Sequence, residues 1–303
     1  MYDVIIVGAG AAGLTAGIYA SRSGLDVIVL EMGISGGQAS TAPLVENYPG
    51  YESISGAELM EKMKKQCSKN AEIWEGRNVI RAKTLADGFG VECEDGAYES
   101  RAIIIATGAR LRKLGVKGEE ELLGRGVCYC ATCDGFFFKG KEVIIVGGGN
   151  KALNEALYLY SIGVKPKIIH RRDKLRADKV LQESVFSKEI EVIYNSQVKE
   201  IRGDEKVRSV IITREGNEEE IPTYGIFVSI GEEPNNEIAG ELGVKMDGRG
   251  YIEADISQRT DKKMVYAAGD VTTGVKQIVV ACSQGALAGL SAYIDLRNPY
   301  WSH

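Results

Sequence analysis

Three of the six cysteines fall within six positions, as Cys128, Cys130 and Cys133, and Asp134 follows directly. The other three, Cys67, Cys93 and Cys282, stand alone and read as small buried apolar residues. A Cys-x-x-Cys spacing lets two thiols close a small, reversible disulfide. Such motifs lower one thiol's pKa and so increase the thiolate at neutral pH. The same spacing also serves as a structural bridge or as half a zinc site. A structural bridge is disfavoured in a reducing compartment. A zinc site needs a fourth donor, and the three clustered cysteines have an unusual spacing with no histidine nearby. Only His170 and His303 are present, which removes most metal, triad and Cys-His mechanisms. The cluster reads as one redox centre, without a metal.

The elements around it are written twice. Residues 3–10 read DVIIVGAG and residues 142–149 read EVIIVGGG, an offset of 139 that persists through Leu14 and Leu153, Tyr19 and Tyr158, and Gly24 and Gly163. Each block is an apolar run, a glycine turn, a helical pattern and a second apolar run, which is a β-α-β unit. The first carries Gly8-x-Gly10-x-x-Gly13. Glycines there permit a tight turn and close approach of a pyrophosphate to a helix N-terminus. Glu31, 18 positions after Gly13, stands where a carboxylate would hold a ribose hydroxyl pair.

The second unit carries Gly147, Gly149 and Ala152 at the matching places. Its strand ends on His170 instead of an acid, and Arg171, Arg172 and Arg176 follow. A missing carboxylate and clustered guanidinium groups suit a ribose bearing a 2′-phosphate, which favours NADP(H) over NAD(H).

Further buried runs are expected at 101–108, ending in Ala106-Thr107-Gly108, at 225–231 and at 264–270, with antiparallel connections over 191–220. Residues 278–296 read as a closing helix. The expected fold is α/β and three-layered: two Rossmann-like dinucleotide-binding domains with parallel central sheets and an antiparallel β insertion, the second domain inserted in the first. The first domain takes residues 1–111 and 235–303, and the second 114–232. A remainder of roughly 70 residues is small for independent stability, which favours its joining the first domain. With a net charge of −5 and no basic stripe, nucleic-acid binding is not expected. No leader pattern or apolar run of membrane length is read, so a cytoplasmic protein is expected. The acidic run Glu119-Glu120-Glu121 reads as solvated surface.

Taken together, Gly8–Gly13, Gly36-Gly37-Gln38, 45–50 (VENYPG), 106–108, 130–137 (CATCDGFF), 170–173 (HRRD), 269–271 and Gln277 give the chain a resemblance to the low-molecular-weight thioredoxin reductases over essentially its full length. The resemblance implies FAD in the first domain, at Gly8, Gly10, Gly13, Glu31, Gly37, Gln38, Asn47, Thr107, Gly108, Gly269, Asp270 and Gln277. It implies NADPH in the second, at Gly147, Gly149, Ala152, His170, Arg171, Arg172 and Arg176. It also implies a homodimer, a large domain rotation, and thioredoxin or a glutaredoxin-like protein as partner.

On the family pattern Cys133 faces the flavin, Cys130 attacks the partner disulfide, and Asp134 gives and takes the proton. That last role calls for a carboxyl whose pKa is raised by burial. Phe136 to Phe138 either shape a docking surface or belong to the core. The chain departs from the pattern at Lys151 in the second glycine turn, and at Glu232 and Glu233, which would weaken NADPH binding if they approached its phosphates. These departures leave two other readings in view. One is the same enzyme with a deazaflavin or ferredoxin donor, and the other is a non-catalytic redox sensor.

Overall fold

The computed structural model describes every residue except Pro43, Glu215 and residues 298–303. The chain divides into two compact units, residues 1–110 with 233–303, and residues 111–232.

In the first unit five strands run parallel in the order Glu72–Glu75, Val27–Glu31, Tyr2–Val7, Gly96–Ile105 and Val265–Ala267. The long strand Gly96–Ile105 also continues an antiparallel meander with Val79–Leu85 and Gly88–Cys93. Alternation along the strands fills both faces of the sheet, which is why the runs are continuously apolar. Val4, Ile6, Val27 and Val29 face the layer that holds helices Ala11–Arg22 and Gly56–Cys67. Ile5, Val7, Ile28 and Leu30 face the meander and the short helix Glu237–Glu241. Burying each such side chain contributes about 1.5–3 kcal/mol.

The helix Ile278–Arg297 lies against Ala11–Arg22 at backbone distance. A Cβ added at Gly285 would stand 2.1 Å from the Ala12 carbonyl oxygen, and one at Gly289 would stand 2.7 Å from that of Ala16. By length and apolar composition this helix matches a membrane span, which corrects the reading that no run is long enough. Its small-residue face, Gly285, Ala288, Gly289 and Ala292, is nevertheless buried within this unit.

The second unit repeats the plan. Its five parallel strands are Val192–Ile193, Lys165–Ile169, Glu142–Val146, Ile226–Val228 and Val127–Cys128. Helices Asn150–Ser161 and Lys179–Ser187 cover one face. The antiparallel strands Ser196–Gly203, Val207–Arg214 and Asn217–Pro222 cover the other, with Val198, Ile201, Val210 and Ile212 turned inward. The fifth strand differs in origin. In the first unit it comes from the C-terminal segment, and in the second it leads into the cysteine cluster.

Candidate active site

Cys130 and Cys133 are joined by a disulfide, with their Cα atoms 5.3 Å apart. The strand Val127–Cys128 delivers the chain to Cys130, whose extended backbone caps the short helix Ala131–Asp134. One turn of helix brings Cys133 back to Cys130, and the Asp134 amide closes that turn on the Cys130 carbonyl at 3.1 Å. Gly135 then lets the segment lie against helix Asn150–Ser161, because a Cβ there would stand 2.5 Å from Leu159.

Asp134 is largely buried, and burial raises its carboxyl above the ordinary aspartate range, partly offset by a hydrogen bond with Cys128. Cys128 is buried too, and burial followed by the charge of Asp134 pushes its thiol far up, so it stays protonated. Phe136 and Phe137 are exposed. Phe138 is core and packs edge-on to Phe227.

Glu155, on the helix behind the disulfide, was not found by sequence reasoning. It accepts the Ser229 hydroxyl and the Ala131 amide, and burial raises its carboxyl despite these bonds and nearby Lys151. No periodic pattern signals a pair 74 residues apart.

The two glycine turns have the same construction. Gly8 has φ +102°, and a Cβ there would stand 2.4 Å from the Ala106 carbonyl oxygen. A Cβ on Gly13 would stand 1.8 Å from the oxygen of Gly8. At Gly10, by contrast, an added Cβ meets nothing within 4 Å. In the second unit Gly147 is packed on Ser229 and Ala152, while Gly149 is open. Both following helices lack a side-chain cap and an acid in the first turn, so their leading N–H groups remain for an anion. Two open cradles at uncapped helix ends fit two dinucleotides.

Around the first cradle, Glu31 accepts the Ala9 amide at 2.7 Å and the Gly33 amide at 2.9 Å, which fixes its carboxylate at the strand end. Gly37 has φ +54° and approaches Gly10, and Gln38 donates to the carbonyl of Ala109. Asn47 and Gln277 are brought together, amide to amide, at 3.1 Å. Thr107 donates to the Asn235 carbonyl at 2.6 Å, and Asn235 donates back to Thr107 at 2.8 Å and to Gly108 at 3.0 Å. Gly269 donates to the Gln284 side chain at 2.8 Å, and the carbonyl of Asp270 accepts Lys276 at 2.7 Å. Asn235 and Gln284 were missed in the sequence. Gln284 had a signal, for it stands seven positions after Gln277, two helical turns on, in the largely apolar first part of helix Ile278–Arg297.

Around the second cradle, Arg171, Arg172 and Arg176 are exposed. His170 is only 4% exposed and turns inward. Its Nε2 lies 3.0 Å from the Lys174 carbonyl, which can only accept, so Nε2 carries the proton. A Cβ on Gly148 would overlap the ring. Burial first, then the three guanidinium groups, hold the imidazole neutral by lowering its pKa. The histidine braces the loop from within, and the three arginines present the positive charge.

One surface expectation needs correction. Glu119 is not solvated surface: it is 2% exposed and accepts three hydrogen bonds. Its desolvation is tolerated because both oxygens are satisfied. Glu233 belongs to the first unit, where it pairs with Arg110 at 3.2 Å.

The chain is similar to known proteins over nearly its whole length. Residues 2–285 match the model of the pyridine nucleotide-disulphide oxidoreductase family. A thioredoxin reductase of Listeria innocua is 46% identical over 300 residues, covering 96% of this chain and 93% of the relative. One from Bacillus subtilis is 44% identical over 299 residues, with the same coverage of both chains. The crystal structure of a thioredoxin reductase from Streptococcus pyogenes superposes with a TM-score of 0.93 at 41% identity, covering 99% of each chain. The chain belongs to the pyridine nucleotide-disulphide oxidoreductase family.

Proposed function

We propose that this protein is a thioredoxin-disulfide reductase that passes electrons from NADPH through FAD to the Cys130–Cys133 pair, and from there to the disulfide of thioredoxin or a similar small protein. The observation that carries this reading is the Cys130–Cys133 disulfide beside a buried, raised Asp134, within a dinucleotide-binding unit that carries Arg171, Arg172 and Arg176. The relatives' names support the substrate, and the two open glycine cradles support the two cofactors.

When bound, the flavin supplies the link between two-electron hydride donation and disulfide reduction. The chain's own residues do the rest. Gly8, Gly10 and the N-terminus of helix Ala11–Arg22 take the FAD pyrophosphate, and Glu31 takes its ribose hydroxyls. Gln38, Asn47, Asp270 and Gln277 complete that site. Gly147, Gly149 and Ala152 shape the NADPH pyrophosphate turn, and Arg171, Arg172 and Arg176 hold the 2′-phosphate.

Opening the Cys130–Cys133 bond with two electrons leaves two sulfurs that need protons. Asp134, whose carboxyl burial raises, gives one in its protonated form and recovers it as the pair closes. Cys130 attacks the partner's disulfide and forms a mixed disulfide. Cys133 then displaces the partner's thiol and restores the intramolecular bond. We further infer a cytoplasmic homodimer. The test is NADPH oxidation with and without thioredoxin. Turnover dependent on both Cys130 and Cys133 supports the proposal, and NADPH oxidation indifferent to thioredoxin refutes it.

A further inference from the structure

Glu119 is a buried carboxylate that the proposed reaction leaves unused. Its Oε1 accepts the Leu114 amide at 2.8 Å and the Tyr129 hydroxyl at 2.7 Å, and its Oε2 accepts the Gly115 amide at 2.8 Å. The neighbouring acid is different: Glu120 reaches outward to Lys113 at 2.6 Å, with both side chains exposed. An interior carboxylate persists only when its oxygens are satisfied, so these three donors and Glu119 hold one another in place.

The two ends of this clasp lie in functionally different places. Leu114 and Gly115 belong to the first stretch of chain after entry into the second unit at residue 111. Just before them, the Arg112 amide donates to the Gly231 carbonyl at 3.1 Å, beside the stretch by which the chain leaves. Tyr129 immediately precedes Cys130. Burial and the Glu119 bond raise the pKa of its hydroxyl, so it remains a donor at working pH. Cys130 itself is extended, with φ −138° and ψ 106°, and the helical turn begins at the next residue.

We propose that Glu119 is a positioning residue for the Cys130–Cys133 couple, acting through Tyr129 to hold the peptide that leads into Cys130 in the extended form from which the two sulfurs can join. The inference rests on the reading of that pair as redox-active. The closed pair needs a fixed Cys130 backbone and the open dithiol does not, so the clasp stabilises the disulfide relative to the dithiol.

The test equilibrates full-length, FAD-loaded protein with mixtures of reduced and oxidised dithiothreitol under anaerobic conditions. In the exchange, the enzyme disulfide gains two electrons and two protons. Reduced dithiothreitol loses them and closes to its cyclic disulfide. Alkylation followed by mass spectrometry counts the Cys130 and Cys133 thiols. Tyr129→Phe and Glu119→Leu, which removes the acceptor, are each expected to shift the equilibrium towards the dithiol by about three- to tenfold. The double variant is expected to shift it no further than the larger single effect, because both remove one interaction.

An unchanged equilibrium in Tyr129→Phe overturns the proposal, even if its melting temperature falls. So does a shift in Tyr129→Phe that folded Glu119→Leu does not share. If Glu119→Leu fails to fold, Tyr129→Phe decides alone, since it keeps the ring and loses only the hydroxyl. A wild-type pair that exchanges with no dithiothreitol mixture refutes the redox reading itself, a separate and distinguishable result.

Discussion

The Glu31 carboxylate accepts the backbone amide of Ala9 at 2.7 Å. The acid that ends the second strand therefore also fixes the glycine turn that follows the first. At the matching place in the second unit stands His170, turned inward, with three arginines outside it. The two glycine turns are thus flanked by opposite charge.

That difference predicts the nucleotide preference. On the proposed assignment, Arg172→Ala removes a charge-assisted contact to a 2′-phosphate, worth about 1.5–3 kcal/mol. The KM for NADPH is expected to rise by roughly ten- to a hundredfold, while the weaker use of NADH changes little. Steady-state kinetics with both nucleotides checks this. Equal losses for the two would remove the assignment of Arg172.

The glycines separate packing from binding. Gly13→Ala puts a methyl group 1.8 Å from the Gly8 carbonyl oxygen, backbone against backbone. It should cost about 1–3 kcal/mol or more and lower Tm by several degrees. Gly149→Ala meets nothing within 4 Å, so its stability should stay within about 1 kcal/mol of wild type. On the proposed assignment its methyl group would occupy the approach to the pyrophosphate, and the KM for NADPH should rise. Differential scanning calorimetry and kinetics on the two variants test the contrast.

Asp134 gives a pH dependence with a definite sign. Burial raises its carboxyl, and the Cys128 hydrogen bond offsets part of that rise. The proton donor is present below the raised pKa, so turnover should fall as pH rises through it. Asp134→Asn should lose that limb, along with about a hundredfold in turnover. Stability follows the same titration. The folded state holds the proton more tightly than the unfolded one, so the stabilisation is complete below the unfolded pKa. It is lost as pH rises through the folded one. Asp134→Asn should therefore gain in Tm relative to wild type at alkaline pH and lose that gain in acid. A Tm difference independent of pH would contradict the buried carboxyl.

The repeated β-α-β unit was legible because glycine spacing and apolar runs are local and periodic. The 139-residue offset locates both cradles, and the alternating stretch 191–220 covers all but the last two residues of the second unit's antiparallel meander. The side chains that steady the site were not legible. Glu155 finds Ser229 and Thr107 finds Asn235 through chain folding alone, 74 and 128 positions away. Glu119 was misread because a run of three acids resembles solvated surface, and no sequence pattern shows that two amides and a tyrosine hydroxyl converge on the first of them. His170 was read only as standing at the ribose position, and nothing in the sequence shows which way its ring turns. The space left by Gly148 takes its ring inward.

The most direct measurement follows the electrons to their destination. Oxidised, FAD-loaded protein is mixed anaerobically with one equivalent of NADPH, alkylated, and mapped by mass spectrometry. The expected result is label on Cys130 and Cys133 together, with NADPH consumed in proportion. Cys67, Cys93 and Cys128 should be labelled no more than in a control without nucleotide, because all three are buried. NADPH consumed while the Cys130–Cys133 disulfide stays closed would contradict the proposed path, as would a disulfide that opens only with a different donor.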